Sequence, residues 1–544
     1  MNHIDYENIL RKMYSSLAWD ALLVFTKHHR IQGSKELWNV AKTTKETLEE
    51  EGIEAKLHRI EPGAKNGFID TPASWDALEG ELTIKIGDKV IARFDLIEHP
   101  TLIATHSPGG EGCGELVVCE KPPCIGEVVL ATGYLYEIYK RIDAKLILYY
   151  MPNRYRDAVP YAGLFLTPHD EKKATVMNIP YSLAQRLIET KRKNPRKKIV
   201  VCWKAVTAYH SEGLPILISG NTEQPELMYI SHLCHPKPGA HDNASGSAAN
   251  LAIAFALRGL ENKINHCNVW VPEYTGTVFL PKYLGKLPKY TINLDMVGSK
   301  QYITGSSLTI VNPPRYLKQT VPAALWLATR KFFDNIKAFS GSRLPSIRWG
   351  PSPYTMGSDH DVVIGWGREA SMLNEWPSKY YHTDKDTVDT ISSECLALTA
   401  RTALYAGLIL ATKPDSYLNE LVKNYERFMR SWYFSEAISQ DFSISFIKRN
   451  LIKQPVSISS EKPLLDTPLI SRTIYKILGS NKYNEIRRIK GAIDYLGLYA
   501  PLATVLGIKN HMNAYKAETI TKWSRKEDNL IKEAWETILS VINF

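Results

Sequence analysis

His232-Leu-Cys-His-Pro-Lys-Pro-Gly-Ala-His-Asp-Asn-Ala-Ser-Gly246 places three histidines and one aspartate within eleven residues, directly after an apolar run. That run, Leu227-Met-Tyr-Ile-Ser231, follows the polar stretch Asn221 to Glu226 and reads as a buried strand of a mostly parallel sheet. His232 and His235 fall at its carboxyl end. Pro236, Pro238 and Gly239 force a turn, and Ser245 to Leu257 has the small, apolar character of a helix packed tightly on a sheet. Asp242 is therefore delivered at the helix entrance. It is either a plain N-cap or a ligand in the crevice outside the carboxyl ends of the strands, where open α/β sheets bind their ligands.

Working outward, the same alternation recurs. His266 to Val271 is an apolar run ending on Pro272-Glu273, and Tyr290 to Leu294 ends on Asp295. Polar clusters follow at Gly357-Ser-Asp-His-Asp361 and Tyr380-Tyr-His382-Thr-Asp-Lys-Asp386, before an apolar helix, Ile391 to Thr412. On the N-terminal side, helical patterns at Asn8 to Thr26 and Lys35 to Glu51 precede a strand-like Ile53 to Ile60. Between about 76 and 205 the texture changes to short strands with glycine and proline punctuation; beyond Pro414 it turns helical and basic. The expected organisation is an α/β fold with a mostly parallel mixed sheet flanked by helices. Residues 1–75 and 206–414 form one catalytic domain, 76–205 an inserted small β-rich domain, and 415–544 a helical C-terminal appendage.

Composition narrows the class. Hydrophobic content of 44% and charged content of 23% over 544 residues are those of a globular protein of several domains. The net charge of +10 is spread along the chain, and the runs Lys191 to Lys198 and Arg487 to Lys490 lack an aromatic stacking motif, which argues for solvated surface over a nucleic-acid partner. Seven cysteines, odd in number and without a C-x-x-C pair, argue against a disulfide framework and for a reducing, cytoplasmic setting. No export signal or apolar run of about 20 residues is read, so no membrane partner is expected.

Five residues at strand or loop ends, His235 (or His232), Asp242, Glu273, Asp295 and His382, combine imidazole and carboxylate, a donor set that suits zinc. In order, HLCHP…GAHDNASG, PE, NLDMVG, GSDHD and YHTDKDT resemble the dinuclear zinc aminopeptidases related to glutamate carboxypeptidase, and more closely an aminopeptidase-like branch carrying Cys-His-Pro. His29-Arg-Ile-Gln-Gly-Ser34 matches that family's opening, and the intervening segment resembles its inserted protease-associated domain. The resemblance implies a zinc exopeptidase of one or two ions acting on peptide amino termini. Asp242 would bridge two metals, the motif histidine and Asp295 would complete one, and Glu273 and His382 the other.

Two departures leave alternatives open. The family's adjacent glutamates are reduced to Glu273 between Pro272 and Tyr274, so Glu273 is either the base of a one-zinc site or a ligand. The family's His-x-Asp becomes His232-Leu-Cys234, which makes His235 the preferred ligand and His232 the alternative. Cys234 fits a packing role, Asp359 and His360 brace the cleft, His241 is a wall residue, and Tyr381 is either wall or oxyanion donor. Beside the exopeptidase stand two rivals: a degenerate ligand-binding member, and an amidohydrolase of a non-peptide amide. The C-terminal helices are the natural surface for homo-oligomerisation or for covering the cleft.

Overall fold

The structure, a computed structural model, describes residues 5–13, 15–260, 263–458, 460–542 and 544. Its principal sheet has eight strands: β1 Ala55–Ile60, β2 Leu214–Gly220, β3 Leu227–His232, β4 His266–Val271, β5 Tyr290–Leu294, β6 Ser307–Val311, β7 Trp349–Ser352 and β8 Glu369–Trp376. They lie in the order β1-β2-β4-β3-β5-β8-β6-β7. The central four, β4-β3-β5-β8, are mutually parallel, and β1, β2 and β6 join antiparallel.

The register of the parallel strands sets the site. His232 pairs with Val271, so Glu273 lies two residues beyond the same edge; Ile230 pairs with Asn293, which brings Asp295 level with His232. β3, β4 and β5 are buried at every position, because helices cover both faces. On one face the helices Ser15–Phe25, Gly246–Ala256, Thr320–Phe333 and Ser393–Thr412 share a core with Tyr229, Trp270 and Ile292. The Ser393–Thr412 helix is long and apolar enough to cross a membrane by composition, contrary to the expectation that no such run exists, yet it is mostly buried in this core.

The C-terminal region is no appendage. Leu418, Tyr425 and Tyr433 of the helix Asp415–Ser439 join the first core, and residues from Leu465 to Ile542 build the second core against the opposite face of the sheet. Buried bonds seal this packing: Tyr425 donates to Asn312 (2.7 Å), Tyr316 donates to the Tyr499 carbonyl (2.9 Å), and the Arg315 amide donates to Glu518 (3.1 Å). Among the described residues, 415–544 contains no strand.

Residues 74–210 supply a second, seven-stranded sheet with its own core around Trp75, Leu130 and Val201. Ile199–His210 belongs to this sheet and does not lead into the principal one. Strand pairing also corrects the cysteine reading: Cys113 sits directly opposite Cys202 and is bonded to it, and Cys119 is bonded to Cys124. A pairing between residues 89 apart in sequence is invisible to local spacing, so the argument from cysteines to a reducing compartment loses its premise. Cys234, Cys267 and Cys395 are free.

Candidate metal centre and active site

The loop after β3 is clamped from the N-terminal segment. Buried Arg30 donates to the carbonyls of Leu233 (2.9 Å) and Gly239 (3.2 Å), and its own carbonyl accepts from the His235 amide (2.8 Å). Gly239 is required: its φ is +49°, and a Cβ there would lie 2.3 Å from His235 Nδ1. Asp242 is fixed through its backbone, since the amides of His241 and Asp242 donate to the two oxygens of Asp386 (2.9 Å each). Asn243 ties this turn to the end of β5 by donating to the Leu294 carbonyl (2.9 Å) and accepting from the Met296 amide (3.0 Å). Three residues at the site, Tyr274, Met296 and His382, have left-handed φ between +53° and +57°. Such conformations cost about 1–3 kcal/mol and cluster where function over-determines the backbone.

Asp242 divides its two oxygens between two groups. Oδ1 is 3.3 Å from His232 Nε2, which is itself 3.4 Å from Asp295 Oδ1. Oδ2 is 3.3 Å from His235 Nε2 and 3.1 Å from His382 Nε2. Each set of three donor atoms fits within 4.8 Å. Both motif histidines present Nε2 for the same reason: Nδ1 of His232 faces the Cys234 carbonyl (2.9 Å) and Nδ1 of His235 faces the Pro236 carbonyl (2.8 Å). Those bonds assign the proton to Nδ1 and leave an Nε2 lone pair, the arrangement of a metal-binding imidazole.

Charge and desolvation make the same demand. Burial would raise the Asp242 carboxyl, but the imidazoles of His235, His232 and His382 facing it hold it well below the usual carboxylate range. Burial would lower His232, yet Asp295, Glu273 and Asp242 outweigh it and push it well up. Burial lowers His382 to about 4. Without a cation the cluster recruits a proton onto His232, and His235 Nε2 and Asp295 Oδ1 remain buried without a hydrogen-bond partner. Convergent carboxylates, lone pairs turned inward and orphaned buried atoms are what a divalent metal relieves. The residues therefore fit zinc.

Glu273 stands apart. It belongs to neither donor group and lines the cavity beside His232, Asp242 and His382. Burial pushes its carboxyl well above the usual range, with Asp295, Asp359 and Asp242 adding to the rise and His232 opposing it. Its amide donates to Cys234 Sγ (3.2 Å) and its carbonyl accepts from Gln32 (3.2 Å), so Cys234 and the N-terminal clamp hold this strand end. Asp359 accepts from the Tyr274 amide (2.9 Å) and from Thr277, bracing the same loop.

Of the expected ligands, His235, Asp242, Asp295 and His382 come together, joined by His232; the two motif histidines take opposite sides, so neither displaces the other. His241 instead pairs with buried Glu375 (3.4 Å). Asp386 was quoted within its motif without a role, and its carboxylate facing two consecutive amides is visible only in three dimensions. Tyr161, from the second sheet's domain, was missed: its ring centroid lies 4.7 Å from His382 and 5.0 Å from His235.

Residues 277–407 match the model for peptidase family M28. That stretch is what the chain has in common with peptidase family M28. The match spans Asp295 and His382 but begins after Glu273, so the Cys-His-Pro stretch lies outside it. Two solved structures share this M28 fold. A zinc aminopeptidase from Bacillus subtilis, BSAP, aligns over 74% of this chain and 96% of its own at 16% identity and a TM-score of 0.51. A peptidase M28 precursor from Shewanella amazonensis SB2B aligns over 75% and 96% at 16% identity and a TM-score of 0.52. No curated protein matches.

Proposed function

We propose that the protein is a zinc-dependent exopeptidase that removes N-terminal residues from peptides. The observation that carries the reading is the division of Asp242 between two donor groups, Oδ1 toward His232 and Asp295, Oδ2 toward His235 and His382. It supports two zinc positions bridged by one carboxylate. It also supports a resolution of the missing second glutamate: His235 supplies the donor that an adjacent glutamate would give, and Glu273 stays free to act as base. Zinc held there would acidify a water and polarise the scissile carbonyl.

The chain's own residues do the rest. Glu273, its proton affinity raised by burial, takes the proton of the attacking water and passes it to the leaving amine. Arg30, Asp386 and Asn243 keep the donors in place as charge develops. The cavity over the cluster, about 620 Å³, is walled by the second-sheet domain through Tyr134 and Tyr161 and by the C-terminal region through Arg472 and Asp494. That volume suits the end of a chain, being in the range of small-molecule pockets, and this favours exopeptidase over endopeptidase action.

The test is zinc-edge anomalous scattering on crystals, paired with turnover of aminoacyl anilides with free and blocked amino termini. Two ions on the named side chains, turnover of the free-amine substrate alone, and loss of turnover on chelation with recovery on adding zinc are expected. A metal-replete protein without stoichiometric zinc, or one that prefers the blocked substrate, refutes the reading.

A further inference from the structure

Two carboxyls lie close together where the C-terminal region packs on the principal sheet, and their surroundings differ. Asp361 accepts from the hydroxyls of Tyr274 and Tyr354 (3.0 Å for the latter) and from the amides of Gly357 (2.7 Å) and Ser358 (3.3 Å). Asp494 meets only the Met356 backbone, and no cation bears on it among the described residues. It closes the short helix Ala492–Asp494, which Ala492 and the following Tyr495 fix in the second core, and it lines the cavity of about 620 Å³. A carboxylate held in a protein wall without a partner is costly, and an opposite charge relieves it. Burial, with Asp361 adding to it, pushes Asp494 up to about 7. Resting on the peptidase reading above, we propose that Asp494 determines specificity: its carboxylate receives the side-chain cation of a peptide's amino-terminal lysine or arginine.

Reach and lining suit such a side chain. Tyr274 follows Glu273, and its own side chain spans the way from that strand end to Asp361, whose charge acts on Asp494. A lysine or arginine extending from a residue held at the zinc cluster has a similar reach. Tyr274, Met356, Ile470 and Ile493 line the cavity with Asp494, and apolar walls of this kind pack the methylene stem of a long basic side chain while its head seeks a charge. An arriving ammonium or guanidinium favours the ionised carboxylate. The cavity's own cations are placed elsewhere. Arg472 donates to the carbonyls of Leu164 and Phe165 (3.0 Å to the latter) and lies over the Tyr136 ring (4.2 Å), and Arg487 lies over the Tyr134 ring (5.7 Å). Neither of them, nor Lys476, is among the charges that act on Asp494, so none competes for it. Asp70, the other carboxylate of the lining outside the zinc centre, comes from the N-terminal segment and supplies the control.

The experiment compares the zinc-loaded full chain with its Asp494→Asn and Asp70→Asn variants; Asp494→Ser takes the place of Asp494→Asn should that variant not fold. It reads zinc content, kcat/KM on lysyl and norleucyl anilides, which share a straight side chain and differ in the terminal ammonium, and calorimetric binding of free lysine and norleucine. The wild type is expected to prefer the lysyl anilide by about 10–10²-fold, the worth of a hydrogen bond to a charged group, and to bind lysine over norleucine in similar proportion. Asp494→Asn should keep its zinc and lose that preference, and Asp70→Asn should keep both. The proposal is overturned if the wild type handles the two substrates alike, if Asp494→Asn retains the preference, or if Asp70→Asn loses it instead. Turnover without the preference removes this proposal and leaves the peptidase reading standing. A wild type without turnover that still binds lysine through Asp494 removes the peptidase reading alone, and the absence of both turnover and lysine binding removes both.

Discussion

Replacing Glu273 by glutamine separates the two jobs a carboxylate can do at this centre. The side chain lies in the cavity wall outside both donor groups, which already hold three donors each. The amide keeps the shape and loses the basicity, so zinc content should remain at the wild-type level. Turnover should fall by about 10²–10⁴, the worth of a positioned acid–base group, or about 2.7–5.5 kcal/mol at 1.36 kcal/mol per decade. The Gln32 and Cys234 contacts run through the backbone of residue 273 and survive the substitution, so the thermal midpoint should move little. The assay is zinc content after dialysis against a zinc buffer, measured on the same sample as kcat/KM for an aminoacyl anilide. Lost zinc together with turnover restored by excess zinc would make Glu273 a ligand and refute the argument from the two donor groups.

His235→Ala should remove one zinc and leave the group of His232, Asp242 and Asp295 loaded; since outer-shell partners alone cost 10–100-fold, turnover should drop by about 10² or more. Two ions retained in the variant would contradict the assignment of His235. Gly239→Ala should disturb the same donor through its Cβ, 2.3 Å from His235 Nδ1, and lower zinc affinity at a stability cost of about 1–3 kcal/mol; equilibrium zinc titration reads this, and unchanged affinity counts against the clamp. Glu518 is buried and pushed up to about 7 by burial, above the ordinary carboxyl value of about 4.3. Between those pH values the native state keeps a proton that the unfolded chain has lost, so this group makes stability fall as pH rises through about 4–7, with no further change above. Glu518→Gln should therefore gain on the wild type across that window, by an amount on the order of 2–4 kcal/mol, and parallel denaturation curves at pH 5 and 7 would overturn it.

Periodicity made the principal sheet legible, because β3, β4 and β5 are buried on both faces and read as largely apolar runs, each leading to a residue of the site. The second sheet was legible in texture only. Its strand Gly110–Val118, glycine-rich and alternately exposed, carries little apolar signal. The site showed where the sequence failed for a geometric reason. His232 and His235 are three residues apart, and only the turn between them reveals that each faces a different oxygen of Asp242. Tyr161 could not be found from sequence: it lies far from every motif and reaches the centre through a backbone pairing with residues 382–384. The Cys113–Cys202 bond was hidden in the same way, by a strand register.

The two cores of the principal sheet make the protein indivisible. Helices of the C-terminal region bury Tyr316, Tyr354 and Trp366 on one face, while the helix Asp415–Ser439 reaches the other. A chain cut after residue 414 would bare aromatic surface on both sides and favour aggregation over folding. The part of the chain before residue 415 is thus unsuited to expression on its own, and to transplantation into a fusion. Tags and inserted reporters belong in the exposed turns of the second sheet, such as Gly87 between the edge strand Lys89–Asp95 and its neighbour Ser74–Ile86.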